Sequence, residues 1–191
     1  MYRIFMAAFG LALLSALPAF ATGEIVSLIT AADRKRLDGY DATRRQAIDE
    51  ARRGDAADIA TFEALLAKPA VSFQDFDMVG DWQCRTIKAG GPARLVIYGW
   101  FKCRVRDDGS GWQLEKLSGS QRTLGRFFDD GDRRLTYLGS GYIAGKKPKP
   151  YGSGPETDQA GYAFRTAPGE WRIEFPAPAY ESKLDVLEFK R

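Results

Sequence analysis

Residues 80 to 88, Gly80-Asp81-Trp82-Gln83-Cys84-Arg85-Thr86-Ile87-Lys88, and residues 95 to 105, Leu95-Val96-Ile97-Tyr98-Gly99-Trp100-Phe101-Lys102-Cys103-Arg104-Val105, both read as strands. Between them Ala89-Gly90-Gly91-Pro92 is turn chemistry, so the two runs predict an antiparallel hairpin. Placing Cys84 opposite Cys103 sets Trp82 against Val105 and Thr86 against Phe101, which gathers a coherent apolar face. The other face then carries Arg85, Lys102, Arg104 and Arg106 with Ile87 and Trp100. These are the only two cysteines of the chain, and their positions predict a disulfide that closes the hairpin. Such a bridge contributes about 3 kcal/mol by the chain-entropy argument.

Working outward from the hairpin, the period stays at two. Strands are expected near 79–88, 94–106, 112–118, 121–129, 133–144, 159–166, 170–175 and 183–189. Asp107-Asp108-Gly109-Ser110-Gly111, Asp129-Asp130-Gly131-Asp132 and Ala167-Pro168-Gly169-Glu170 are the turns between some of them. Trp171-Arg172-Ile173-Glu174-Phe175 shows the clearest alternation, with apolar side chains on one face and charges on the other. Eight short strands joined by tight turns predict an up-and-down antiparallel meander, either a barrel or a highly curved sheet. One connection is long: residues 145–158 hold three lysines, three prolines and a tyrosine, and read as an extended cationic flap.

Upstream of the strands the pattern is helical. Thr30 followed by Asp33 resembles a capping box, and Leu37, Tyr40, Ala47, Ile48 and Ala51 share a stripe that Gly39 should kink or split. Arg53-Gly54-Asp55 stops this helix and caps another, in which Ile59, Phe62, Leu65 and Leu66 share a face before Lys68-Pro69. The organisation expected is a signal peptide over residues 1–21, a helical hairpin over 22–69 and an antiparallel β domain over 70–191. The class is α+β, mainly β.

The signal reading rests on Arg3, the uncharged apolar run from Ile4 to Leu17, Pro18, and the small residues of Ala19-Phe20-Ala21. Cleavage is expected near Ala21, which places the mature protein in the periplasm or outside the cell, an oxidising compartment suited to the disulfide. No transmembrane segment is expected after cleavage. The chain has 28 Lys and Arg against 25 Asp and Glu, a formal charge of +3, and the helical cations alternate with acids. That balance argues against a nucleic-acid partner.

Histidine is absent, which removes Ser-His-Asp and Cys-His triads, imidazole bases and His-containing zinc sites. No catalytic residue, metal ligand or cofactor is assigned. The aspartates at 107, 108, 129, 130 and 132 sit on glycine turns, where their backbone role suffices. A run of small and polar residues, Ser118-Gly119-Ser120-Gln121-Arg122-Thr123, interrupts two strands and should expose Ser120, Gln121 and Arg122 at a bulge or bend. The best binding surface combines aromatics with cations: Trp82, Arg85, Tyr98, Trp100, Lys102, Gln121 and Arg122. It points to a binding or interaction module for a small anionic or amphipathic envelope ligand or an envelope protein, with the oligomeric state open. The alternatives are a carboxylate-dependent envelope hydrolase and a periplasmic protease inhibitor.

The segments GDWQCRTIK (80–88), YGWFKC (98–103), LEKLSGSQR (114–122) and PAPAYESKLDVLE (176–188) resemble a family of exported Gram-negative proteins, domain of unknown function 4893. That resemblance implies export and carries no activity. Gly80-Asp81-Trp82 at the first strand, together with a disulfide, is also similar to lipocalin-like barrels, among them small periplasmic metalloprotease inhibitors. This second likeness implies an eight-stranded barrel.

Overall fold

The computed structural model describes residues 22–191, with side chains from Ile25 onward. The expected signal segment and its cleavage point therefore lie outside the described residues. Four helices come first: α1 (Thr22–Leu28), α2 (Ala31–Asp38), α3 (Tyr40–Ala51) and α4 (Ala56–Ala67). Gly39 splits α2 from α3 as the stripe predicts. Thr30 Oγ1 caps α2 by accepting from the Asp33 N–H at 3.1 Å, and Asp55 caps α4 by accepting from Ala57 and Asp58.

The strands follow as β1 (Gly80–Ala89), β2 (Leu95–Ile97), β3 (Phe101–Asp107), β4 (Trp112–Lys116), β5 (Gln121–Asp129), β6 (Leu135–Ile143), β7 (Asp158–Ala167), β8 (Glu170–Pro176) and β9 (Leu184–Lys190). From β3 onward each pairs antiparallel with its successor, and β9 returns to β1 along Gln83–Ala89, which closes the sheet. The first half of β1 pairs with β3 and the second half with β2, so β2 and β3 occupy one stave. The result is an eight-stranded antiparallel barrel. Closure pairs the two ends of the meander, and the short β2 is bonded to β1 on one edge.

The hairpin is real, but its register is two residues away from the one that opposes the cysteines. Cys84 stands opposite Phe101 and Cys103 opposite Trp82. The turn explains the offset: Gly90 and Gly91 both take positive φ, the Gly90 N–H donates to Arg94 O at 2.7 Å, and pairing resumes at once with Ala89 opposite Leu95. A shift of two preserves the faces of β1 and β3. The disulfide forms across the diagonal, with Cα atoms 5.9 Å apart.

One end of the barrel is filled. Trp82, Val105, Leu114, Phe127, Ile173 and Phe189 meet there with Phe73, Phe76 and Met78 from the segment leading into β1. Trp171 stacks on Phe189 with centroids 3.5 Å apart and meets Trp82 edge-on. Outside the barrel, Ala47, Ala51, Phe62 and Leu65 of α3 and α4 bury Ile87, Ala89, Leu95, Leu184 and Val186. The helices thus share their apolar faces with the barrel wall, which accounts for strands that are apolar on both sides.

Candidate functional site at the open end of the barrel

Along the inward faces of β1, β4, β5 and β9 the chemistry changes from apolar to polar toward the other end. Trp82 and Cys84 give way to Thr86 and Lys88 on β1, and Leu114 to Lys116 on β4. Phe127 gives way to Thr123 on β5, while Phe189 and Leu187 give way to Asp185 on β9. A buried polar band marks the change: Tyr137 and Thr123 hydroxyls are 2.7 Å apart, and Thr123 Oγ1 donates to Gln159 Oε1 at 2.6 Å. Thr123 uses its single proton on Gln159, so Tyr137 is the donor between the two hydroxyls. Burial pushes the Tyr137 hydroxyl well above the usual tyrosine range, so it stays protonated. Gly125 and Gly139 face each other beside it, and a Cβ on Gly139 would lie 2.4 Å from Tyr137 Oη. Those glycines make room for the ring.

Above this band a cavity of about 480 Å³ opens between the β6–β7 connection and the β8–β9 connection. Its walls include Ile143, Phe175, Pro178 and Tyr180, and its cations are Arg36, Lys88, Arg122, Lys146, Lys147 and Lys149. A recess of about 60 Å³ continues into the barrel between Thr86, Lys116, Thr123, Gln159 and Asp185. A larger outer groove, about 790 Å³, crosses β4 to β6. Its charged residues are exposed or half-buried, whereas Lys88 of the barrel mouth is buried.

Lys116 is 5% exposed. Its ammonium donates to Gln121 O at 3.0 Å, reaches Thr86 Oγ1 at 3.4 Å and lies 4.2 Å from the centre of the Phe101 ring. Among the described residues no carboxylate stands within ion-pair distance of it. Burial, with repulsion from Arg122 and Lys88, brings its pKa down to about 8. Asp185 is pushed up to about 6 by burial, although it accepts from Ser182 Oγ at 2.5 Å and feels Lys88 and Lys116. For Lys88 burial opposes the charge, but the 2.8 Å contact with Glu181 and the field of Asp185 win, and its pKa rises.

The lysine-rich connection is fixed in place. Tyr151 donates to Asp33 Oδ2 at 2.8 Å, and Arg36 of α2 donates to the carbonyls of Pro155 and Asp158. The Asp158 carboxylate accepts from the N–H groups of Gly152, Ser153 and Gly154. The flap expected from composition is therefore a folded wall whose lysines line the mouth.

The residues singled out from sequence fall in three places. Gln121 and Arg122 line the mouth. Trp82 lies in the filled end, 3% exposed, with Nε1 donating to Met78 O. Arg85, Tyr98, Trp100 and Lys102 lie outside: Arg85 pairs with Glu188, and the Trp100 ring sits between Arg85 at 4.8 Å and Lys190 at 4.1 Å. Lys88, Lys116, Thr123, Gln159 and Asp185 were not among them. The aspartates of the turns serve local structure, Asp108 with Arg126 and Ser110, Asp130 with Arg134 and Thr136, and Asp132 with Ser72.

Fold and site together define a helix-buttressed, closed β-barrel with one packed end and one polar, cationic end. Residues 26–189 match the family model described as Domain of unknown function (DUF4893), and the chain belongs to that family. No curated protein and no solved structure matches it.

Proposed function

We propose that this protein is an exported binding module whose open barrel end takes a small amphipathic anion. The observation that carries this reading is the composition of the mouth: a cavity of about 480 Å³ with an aliphatic and aromatic wall and a surplus of cations. Ligand sites of this size characteristically combine apolar walls with a few placed polar groups. The signal read from the sequence supplies the compartment, and the paired cysteines fit it.

Native mass spectrometry of the protein purified from periplasm, alongside calorimetric titration with decanesulfonate, tests the proposal. Expected is a small molecule released on denaturation, or saturable binding of decanesulfonate with decanol binding more weakly. A bare protein that also ignores decanesulfonate removes the reading and moves the search to protein partners.

A further inference from the structure

Resting on that reading, we infer that Lys116 anchors the anionic group of the ligand, which enters head-first, its charge in the inner recess and its apolar part toward the mouth. The geometry separates two sets of cations. Lys146, Lys147 and Lys149 are exposed at the rim, where water screens them. Lys116 lies inside, beyond the Gln121 turn, and opens onto the recess. An ammonium has three protons to donate. Lys116 uses one on Gln121 O and reaches Thr86 at the long distance of 3.4 Å.

A buried cation without a carboxylate partner is costly, and an anion seated beside it removes that cost. Gln159 adds a donor, since Thr123 occupies its Oε1 and leaves its Nε2 to the recess. At about 60 Å³ the recess holds about two waters' worth of volume, the scale of a carboxylate, phosphate or sulfonate head rather than of a whole ligand. The apolar wall of Ile143, Phe175 and Tyr180 lies on the mouth side, where a chain would follow.

Asp185 makes the site respond to pH. The charged groups that bear on Lys116 are Lys88 on β1, Arg122 on β5 and Asp185 on β9; those on Asp185 are Lys88, Lys116 and Glu181. With Asp185 protonated, below about pH 6, the recess is purely cationic. Ionisation of Asp185 places a competing negative charge there, and loss of the Lys116 proton above about pH 8 removes the anchor. Anion affinity therefore falls in two steps as pH rises.

The test is calorimetric titration with decanesulfonate, anionic throughout, and with decanol, across about pH 5 to 9. Lys116→Met is expected to weaken decanesulfonate at least about tenfold while leaving decanol unchanged. Asp185→Asn, which guards against a misfolded first variant, is expected to abolish the fall near pH 6 and keep the fall near pH 8. Wild-type affinity in Lys116→Met, with loss instead on replacing Lys146, Lys147 and Lys149 by alanine, overturns the head-first assignment and leaves the binding reading standing. Absence of any wild-type binding removes both.

Discussion

Asp185 stands opposite Lys88 on β1 and opposite Phe175 on β8, so a carboxylate is held inside the barrel beside an aromatic ring. Its folded pKa of about 6 lies above the ordinary aspartate value of about 3.9. Below about pH 4 the carboxyl is protonated whether the chain is folded or not, and it costs nothing. Above about pH 6 it is ionised in both states, and the native state carries the full penalty, on the order of 3 kcal/mol. Asp185→Asn keeps an oxygen for Ser182 and removes the charge, so its melting temperature should exceed the wild type's at pH 7 to 8 and coincide with it near pH 4. A gain of equal size at both pH values would assign the effect to packing instead. The signal for these residues was present in the sequence: Lys88 is in phase with Trp82 and Cys84, and Lys116 with Trp112 and Leu114. A charge at an inward-phase position is the mark of a polar interior. Proximity along the chain misled in the other direction, because it grouped Trp82 with Trp100 although one faces the packed end and the other the outside.

Among the elements, the β1–β3 pair shows which features periodicity carries. Faces were legible, since Trp82, Cys84, Cys103 and Val105 all point into the core. Register was not, because it depends on left-handed Gly90 and Gly91 and on the break at residues 98–100, which turns Leu95 and Ile97 to the outer face while Phe101, Cys103 and Val105 point inward. The helix α1 lies within the expected helical segment but carries no stripe of its own, whereas Gly39, Thr30 and Asp55 marked the other helix ends by their local chemistry. The diagonal disulfide spans 19 positions of sequence. Replacing both cysteines by alanine should lower stability by about 3 kcal/mol in denaturant titration, with the barrel retained because β1 is also held by β9. The intact protein should weigh two mass units less than its reduced form, and equal masses would deny the bridge.

At the scale of the whole molecule, the joint between helices and barrel is polar at its centre. Glu174 points outward from β8 and is fully buried, accepting from Tyr40 Oη at 2.7 Å, Arg44 Nε at 2.8 Å and Arg172 Nε at 2.7 Å. Tyr40 also meets Tyr162 edge-on. Read alone, the alternation of Trp171 to Phe175 describes a strand with one wet face. Neither the helical cover nor the β9–β1 closure has a local signature, because each joins segments far apart in the chain. Glu174→Ala leaves Arg172 buried and Arg44 partly buried without their shared carboxylate, a loss of roughly 3 kcal/mol or more. The same change should reach the mouth of the barrel. Helix α2 holds the lysine-rich connection through Arg36 and through Asp33 and Tyr151, so loosening α3 at Glu174 removes the support on which that wall rests. Hydrogen exchange in Glu174→Ala should therefore rise over residues 40–51 and also over 150–158, while residues 171–175 of β8 stay protected by β7 and β9. Faster exchange confined to residues 40–51 would show that the helices and the mouth are held independently.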